Sequence, residues 1–181
     1  MRVRDYYSHQ MSRLKREEAV LVIIDVQERL MPVISKREQV EQNIERLIRG
    51  AQILGVPILV TEQNRLGPTV EILRNALGDV YAPIEKSCFS GYRELTRKQV
   101  IVAGVETHIC VYQTVSDLLA NGYEVTIVAD AVSSRKIDNK EIALRRMISD
   151  GAKLSSTEMA LFELTVASGT DEFRAISKLV K

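Results

Sequence analysis

The chain has 181 residues, 45% of them hydrophobic and 27% charged, the size and composition of one folded domain rather than of a disordered or multi-domain protein. Lys and Arg number 25 against 24 Asp and Glu, so a net charge of +1 supplies no global attraction to nucleic acid or an acidic membrane. A core of this size needs no disulfide or metal staple, and no apolar run approaches the ~20 residues of a bilayer span.

In chain order, residues 1–18 (MRVRDYYSHQMSRLKREE) are charged and lack the apolar centre of a signal peptide. They read as an N-terminal extension of a cytoplasmic protein. Residues 19–24 (AVLVII) form a continuous apolar run, the pattern of a strand covered on both faces. A helix over 36–54 follows, with Val40, Ile44, Leu47, Ile48, Ala51 and Leu54 at helical spacing, and Gly55 and Pro57 end it. Residues 57–61 (PILVT) read as the second strand, 68–78 as a short helix and 82–86 as the third strand. The fourth strand covers 99–103 and is followed by Gly104. The spacing of Val111, Val115, Leu118 and Leu119 predicts a helix over 106–120, stopped by Asn121-Gly122. Residues 123–129 give the fifth strand, 137–149 a helix and 152–155 a sixth strand. Thr157 is expected to cap a helix through 166, and a last helix covers 171–180.

Strands separated by helices of this length require right-handed crossovers and a parallel sheet. The expected fold is a single three-layer, doubly wound α/β domain over 1–181, Rossmann-like, with a six-stranded parallel sheet. The first strand, however, runs into DVQERL, with neither GxGxxG nor a P-loop lysine, so dinucleotide binding has no support.

In such sheets ligands sit beyond the C-terminal strand ends. Asp25 directly follows the first strand, where its charge is costly unless partnered; it is either a site carboxylate or a structural acceptor. Cys110 falls in the first turn of the helix after the fourth strand. There, open N–H groups and the helix dipole are expected to lower a thiol pKa and to face an oxyanion. The alternative is a buried cysteine acting as a small hydrophobe. Lys86 closes the third strand, either as a surface charge or as the cation that holds Cys110 as thiolate. Cys88 is the competing nucleophile, and Glu106 and His108 are alternative bases. The two histidines, His9 and His108, do not have zinc-site spacing.

The order and spacing of LVIIDVQ, EKSCFSG and VAGVETHICV resemble the Asp-Lys-Cys triad of the isochorismatase-like cysteine hydrolases. TEQNRLGPTV, ADAVSSR and MISDGAKLSSTE are similar to the isochorismatase domain-containing subgroup, and the resemblance runs from Ala19 to the last helix. It implies a cysteine hydrolase that cleaves a C–N bond of a small amide or carbamoyl substrate through a thioester. Cys110 would be the nucleophile, Asp25 the base and Lys86 the cation beside them. It also implies a non-proline cis peptide between Val105 and Glu106, with the Glu106 and Cys110 N–H groups as oxyanion hole. Leu30, Val105 and Ile109 match pocket-lining positions. Where nicotinamidases carry metal-binding histidines this chain has TEQNRLGP, so no metal and no cofactor are expected. Arg65 and Arg93 are candidates to meet a substrate carboxylate. The family resemblance implies a homo-oligomer acting on a small molecule, while the charge balance and the short apolar runs give no expectation of nucleic acid or membrane partners. Two other functions remain open: a silent scaffold that keeps the fold to bind a ligand, and a redox-responsive thiol protein using Cys110 and Cys88.

Overall fold

The computed structural model describes residues 13–181; His9 and most of the expected N-terminal extension lie outside the described residues. Six strands, β1 (Ala19–Ile24), β2 (Ile58–Gln63), β3 (Ile84–Lys86), β4 (Gln99–Val105), β5 (Glu124–Ser133) and β6 (Lys153–Ser155), form one sheet in the order β3-β2-β1-β4-β5-β6. Every pairing is parallel. The connecting helices are α1 (Arg37–Leu54), α2 (Glu71–Leu77), α3 (Tyr112–Ala120), α4 (Ile137–Ser149), α5 (Thr157–Thr165) and α6 (Asp171–Leu179).

Alternation along the central strands divides the core in two. Leu21 and Ile23 of β1, with Ile101, Ala103 and Val105 of β4, pack against Ile44, Leu47 and Ile48 of α1 and Leu161 of α5. Val20, Val22 and Ile24, with Val100 and Val102, pack against Val115 and Leu118 of α3 and Met147 of α4. Both faces of β1 and β4 are thereby buried, which is why these segments read as unbroken apolar runs. Residues 13–18, expected to precede the domain, pack against it: Leu14 joins the first cluster, and the Lys15 N–H donates to Gln99 Oε1 at 2.8 Å.

Several boundaries differ from the sequence reading. The third strand starts at Ile84 rather than 82, and β5 runs on to Ser133 past an irregularity in its pairing with β4. Helix α5 is capped by Ser156, whose hydroxyl accepts from the Met159 N–H, and not by Thr157. The helix expected over 106–120 is two elements. A wide π-helical turn, Thr107–Val111, precedes α3.

Chain order leaves β1 toward β2 and β3 on one side, and then crosses to β4 on the other. The reversal between β1 and β4 opens the crevice in which sheets of this kind hold ligands. The ends of these two strands carry Asp25 and the turn containing Cys110.

Candidate active site

Two backbone features let β1 and β4 end side by side. Gly104 has φ +123°, and a Cβ there would land on the Ile24 backbone, so only glycine permits this approach. Asp25 leaves β1 with φ 52°, a left-handed conformation that Asp tolerates better than most residues, and its N–H donates to the Thr61 carbonyl at 3.2 Å. The bond between Val105 and Glu106 is cis.

Asp25 is fully buried, and each carboxylate oxygen has a donor. Thr61 Oγ1 donates to Oδ1 at 2.8 Å and Lys86 Nζ donates to Oδ2 at 2.6 Å. Lys86 reaches across β2 to do so, from a strand about 10 Å away. Its ammonium also donates to Gln63 Oε1 at 2.8 Å, the Phe89 carbonyl at 3.0 Å and the Cys88 carbonyl at 3.2 Å. Three N–H groups thus meet four protein oxygens, which leaves the ammonium a partner for Asp25 rather than a donor to a ligand. Gln63 is itself held by the buried Gln27, whose amide accepts from the Gln63 N–H at 2.8 Å and donates to the Gln63 carbonyl at 3.0 Å.

Cys110 lies in the π-helical turn and is buried. Thr114 Oγ1 donates to the Cys110 carbonyl at 2.6 Å and accepts from the Gly91 N–H at 2.8 Å, which joins the turn to the segment after Lys86. Burial pushes the thiol up to about 12. The Asp25 negative charge and a hydrogen bond from the thiol to that carboxylate push the same way, while Lys86 opposes them. The sequence expectation of a lowered thiol pKa is therefore corrected: desolvation, with the Asp25 charge, outweighs the lysine. The resting arrangement is a protonated thiol beside a carboxylate and an ammonium.

The remaining sequence candidates take other places. Cys88 is exposed, and its carbonyl rather than its thiol contacts Lys86. The Glu106 carboxylate accepts, through Oε2, from Arg135 N–H at 2.8 Å and Arg135 Nε at 3.1 Å, which ties it to the segment after β5. His108 Nδ1 pairs with Ser134 Oγ at 3.0 Å. Leu30 and Ile109 are half-buried, each against a different core cluster. Val105 is completely enclosed in the core and offers a ligand no side-chain surface, which corrects its expected lining role. Arg65 and Arg93 are exposed. Among the described residues no group of His, Cys, Asp and Glu side chains could hold a metal ion. The sequence reading missed Thr61, Gln63 and Gln27, although the string TEQ directly after an apolar strand was the available signal.

Comparison with known proteins identifies the family and the fold. Residues 19–159 match the family model described as Isochorismatase domain. A Phytophthora sojae protein named secreted isochorismatase effector Isc1 is 39% identical, over 94% of this chain and 88% of its own. The structure of a Caenorhabditis elegans protein called MAR1 ribonuclease superposes with a TM-score of 0.88 at 34% identity, covering 93% of this chain and 92% of that one. The Escherichia coli YcaC structure, described as an octameric hydrolase of unknown specificity, has a TM-score of 0.80 at 21% identity, covering 92% and 90%, and shows the shared fold alone. The chain belongs to the isochorismatase family of hydrolases.

Proposed function

We propose that the chain is a cysteine hydrolase that cleaves the C–N bond of a small amide or carbamoyl compound. The observation that carries this reading is the fully buried Asp25 carboxylate, ion-paired to Lys86 at 2.6 Å, with both charges acting on the Cys110 thiol. As Cys110 Sγ attacks the carbonyl carbon, Asp25 takes the thiol proton and later delivers it to the leaving nitrogen. Lys86 is the counter-ion of Asp25 and offsets the charge that develops on sulfur. Its N–H groups are already taken, so the carbonyl oxygen turns to backbone donors. The Glu106 carbonyl accepts the N–H of Ile109 and of Val111, which leaves the Cys110 N–H outside those two bonds. With the Glu106 N–H it forms the oxyanion hole of this reading. Loss of amine leaves a thioester on Cys110, and water activated by Asp25 hydrolyses it.

Leu30 and Ile109 are the apolar flanks of the substrate, which suits a small, weakly polar compound. The name ribonuclease belongs to the nematode relative; 25 basic against 24 acidic residues give this chain little of the attraction a phosphate backbone requires. We further place the protein in the cytoplasm, where its two free thiols stay reduced, and as a homo-oligomer. Exposed Ile142 and Ile148 on α4 and Leu154 on the edge strand β6 favour self-association, as does the octameric YcaC. No helix among the described residues is long and apolar enough to cross a membrane.

The test is a panel of primary amides and N-carbamoyl compounds, with RNA alongside, assayed for ammonia or amine release and for RNA cleavage by wild type and Cys110→Ala. Release that depends on Cys110 supports the reading. Cleavage of RNA alone, or turnover that survives Cys110→Ala, contradicts it.

A further inference from the structure

We infer that the Glu106 side chain is the positioning residue of the catalytic turn, fixing the backbone donors around Cys110 by tying the turn to the segment after β5. The inference rests on the reading of Cys110 as nucleophile.

Glu106 stands immediately before the turn, with extended backbone (φ −82°, ψ 140°). A carboxylate at a helix start ordinarily settles against the open N–H groups of the first turn. Glu106 makes no such cap. Its Oε2 instead accepts from the N–H and the Nε of Arg135, at 2.8 and 3.1 Å. The residue is 4% exposed, so its charge is tolerable only because both bonds are made.

The main chain of the same residue grips the turn, through the N–H groups of Ile109 and Val111 on its carbonyl. The far end of the tie is itself held. The Ser134 carbonyl accepts from the Ser35 N–H at 3.1 Å, and Ser133 Oγ donates to the Ser35 carbonyl at 2.7 Å. His108 Nδ1 and Ser134 Oγ, at 3.0 Å, link the same two segments a second time. Glu106 therefore holds the turn from outside while leaving its N-terminal donors uncapped, the condition under which they can meet a developing oxyanion.

Two reactions of one thiol separate positioning from general damage. Alkylation by iodoacetamide displaces iodide at a saturated carbon and builds no oxyanion. Acylation by p-nitrophenyl acetate does build one: the S–C bond forms, the carbonyl carbon becomes tetrahedral, p-nitrophenolate leaves, and the thiol proton goes to Asp25. Glu106→Ala is expected to slow acylation of Cys110 about 10- to 100-fold, while its alkylation stays at or above the wild-type rate. Glu106→Gln keeps an oxygen for both Arg135 donors and restores most of the acylation rate. Arg135→Ala, which retains the main-chain bond, falls between them and serves if Glu106→Ala does not fold. Acylation at the wild-type rate in Glu106→Ala or Arg135→Ala overturns the positioning role, as does an equal loss in both reactions. A p-nitrophenolate burst that survives in Cys110→Ala shows that the nucleophile reading has failed, and the inference falls with it.

Discussion

A thiol pushed up to about 12 beside a carboxylate is protonated at neutral pH, and in the proposed hydrolase its proton would leave as substrate is attacked. The ultraviolet thiolate signal, taken as the difference between wild type and Cys110→Ala, is predicted to stay flat until the pH is well above 9. The same shift acts on stability. An unfolded thiol ionises near 9.0 and the folded one near 12, so between those values the folded state holds the extra proton. Stability then falls as pH rises, with a slope of at most about 1.4 kcal/mol per pH unit. Cys110→Ala should lose that part of the alkaline destabilisation in urea melts at pH 8 to 11. Thr107 gives a second prediction. Its hydroxyl is buried without a hydrogen-bond partner among the described residues, so Thr107→Val removes an unpaired polar group of equal shape. Its unfolding midpoint should equal or exceed that of wild type. At this scale the sequence was most legible where a charged or nucleophilic residue stands at or soon after the C-terminal end of a strand: Asp25 directly after β1, Lys86 closing β3 and Cys110 in the turn beyond β4. It was misleading about the thiol pKa, because the depth of burial is set by β1, β4 and α3 together and not by the local string.

At the scale of elements, the close approach of β4 to β1 depends on Gly104. Gly104→Ala places a Cβ on the Ile24 backbone in a conformation unfavourable to side chains. It is predicted to destabilise the protein by at least about 2 kcal/mol in chemical denaturation. The wide turn Thr107–Val111 could not be separated from α3 beforehand, because apolar spacing from Val111 onward is continuous and a π turn leaves no period of its own. The extension of β5 was missed for a related reason. Ala131 and Val132 are buried, but Asp130 interrupts the apolar run, and the pairing shift beside it is a property of the sheet.

Across the whole molecule, alternating apolar strands and amphipathic helices were enough to predict a parallel doubly wound sheet, because handed crossovers leave few other solutions. What no pattern carried is how three distant strand ends converge. The Asp25–Lys86 pair joins β1 to β3 over β2, with side chains 0% and 8% exposed. Lys86→Met strands a buried carboxylate, and a loss of ~3–5 kcal/mol is predicted. Adding Asp25→Asn should recover part of it, since no uncompensated charge remains; a purely additive double variant would argue against the coupling.

The central claim is that Asp25 takes the proton from Cys110 as a thioester forms. Rapid-quench acylation by p-nitrophenyl acetate, with the modified peptide located by mass spectrometry, tests it in wild type, Asp25→Asn and Cys88→Ser. Acylation at Cys110 is expected, unaffected by Cys88→Ser and slowed by about 100-fold or more in Asp25→Asn. Label on Cys88, or wild-type acylation in Asp25→Asn, would contradict it.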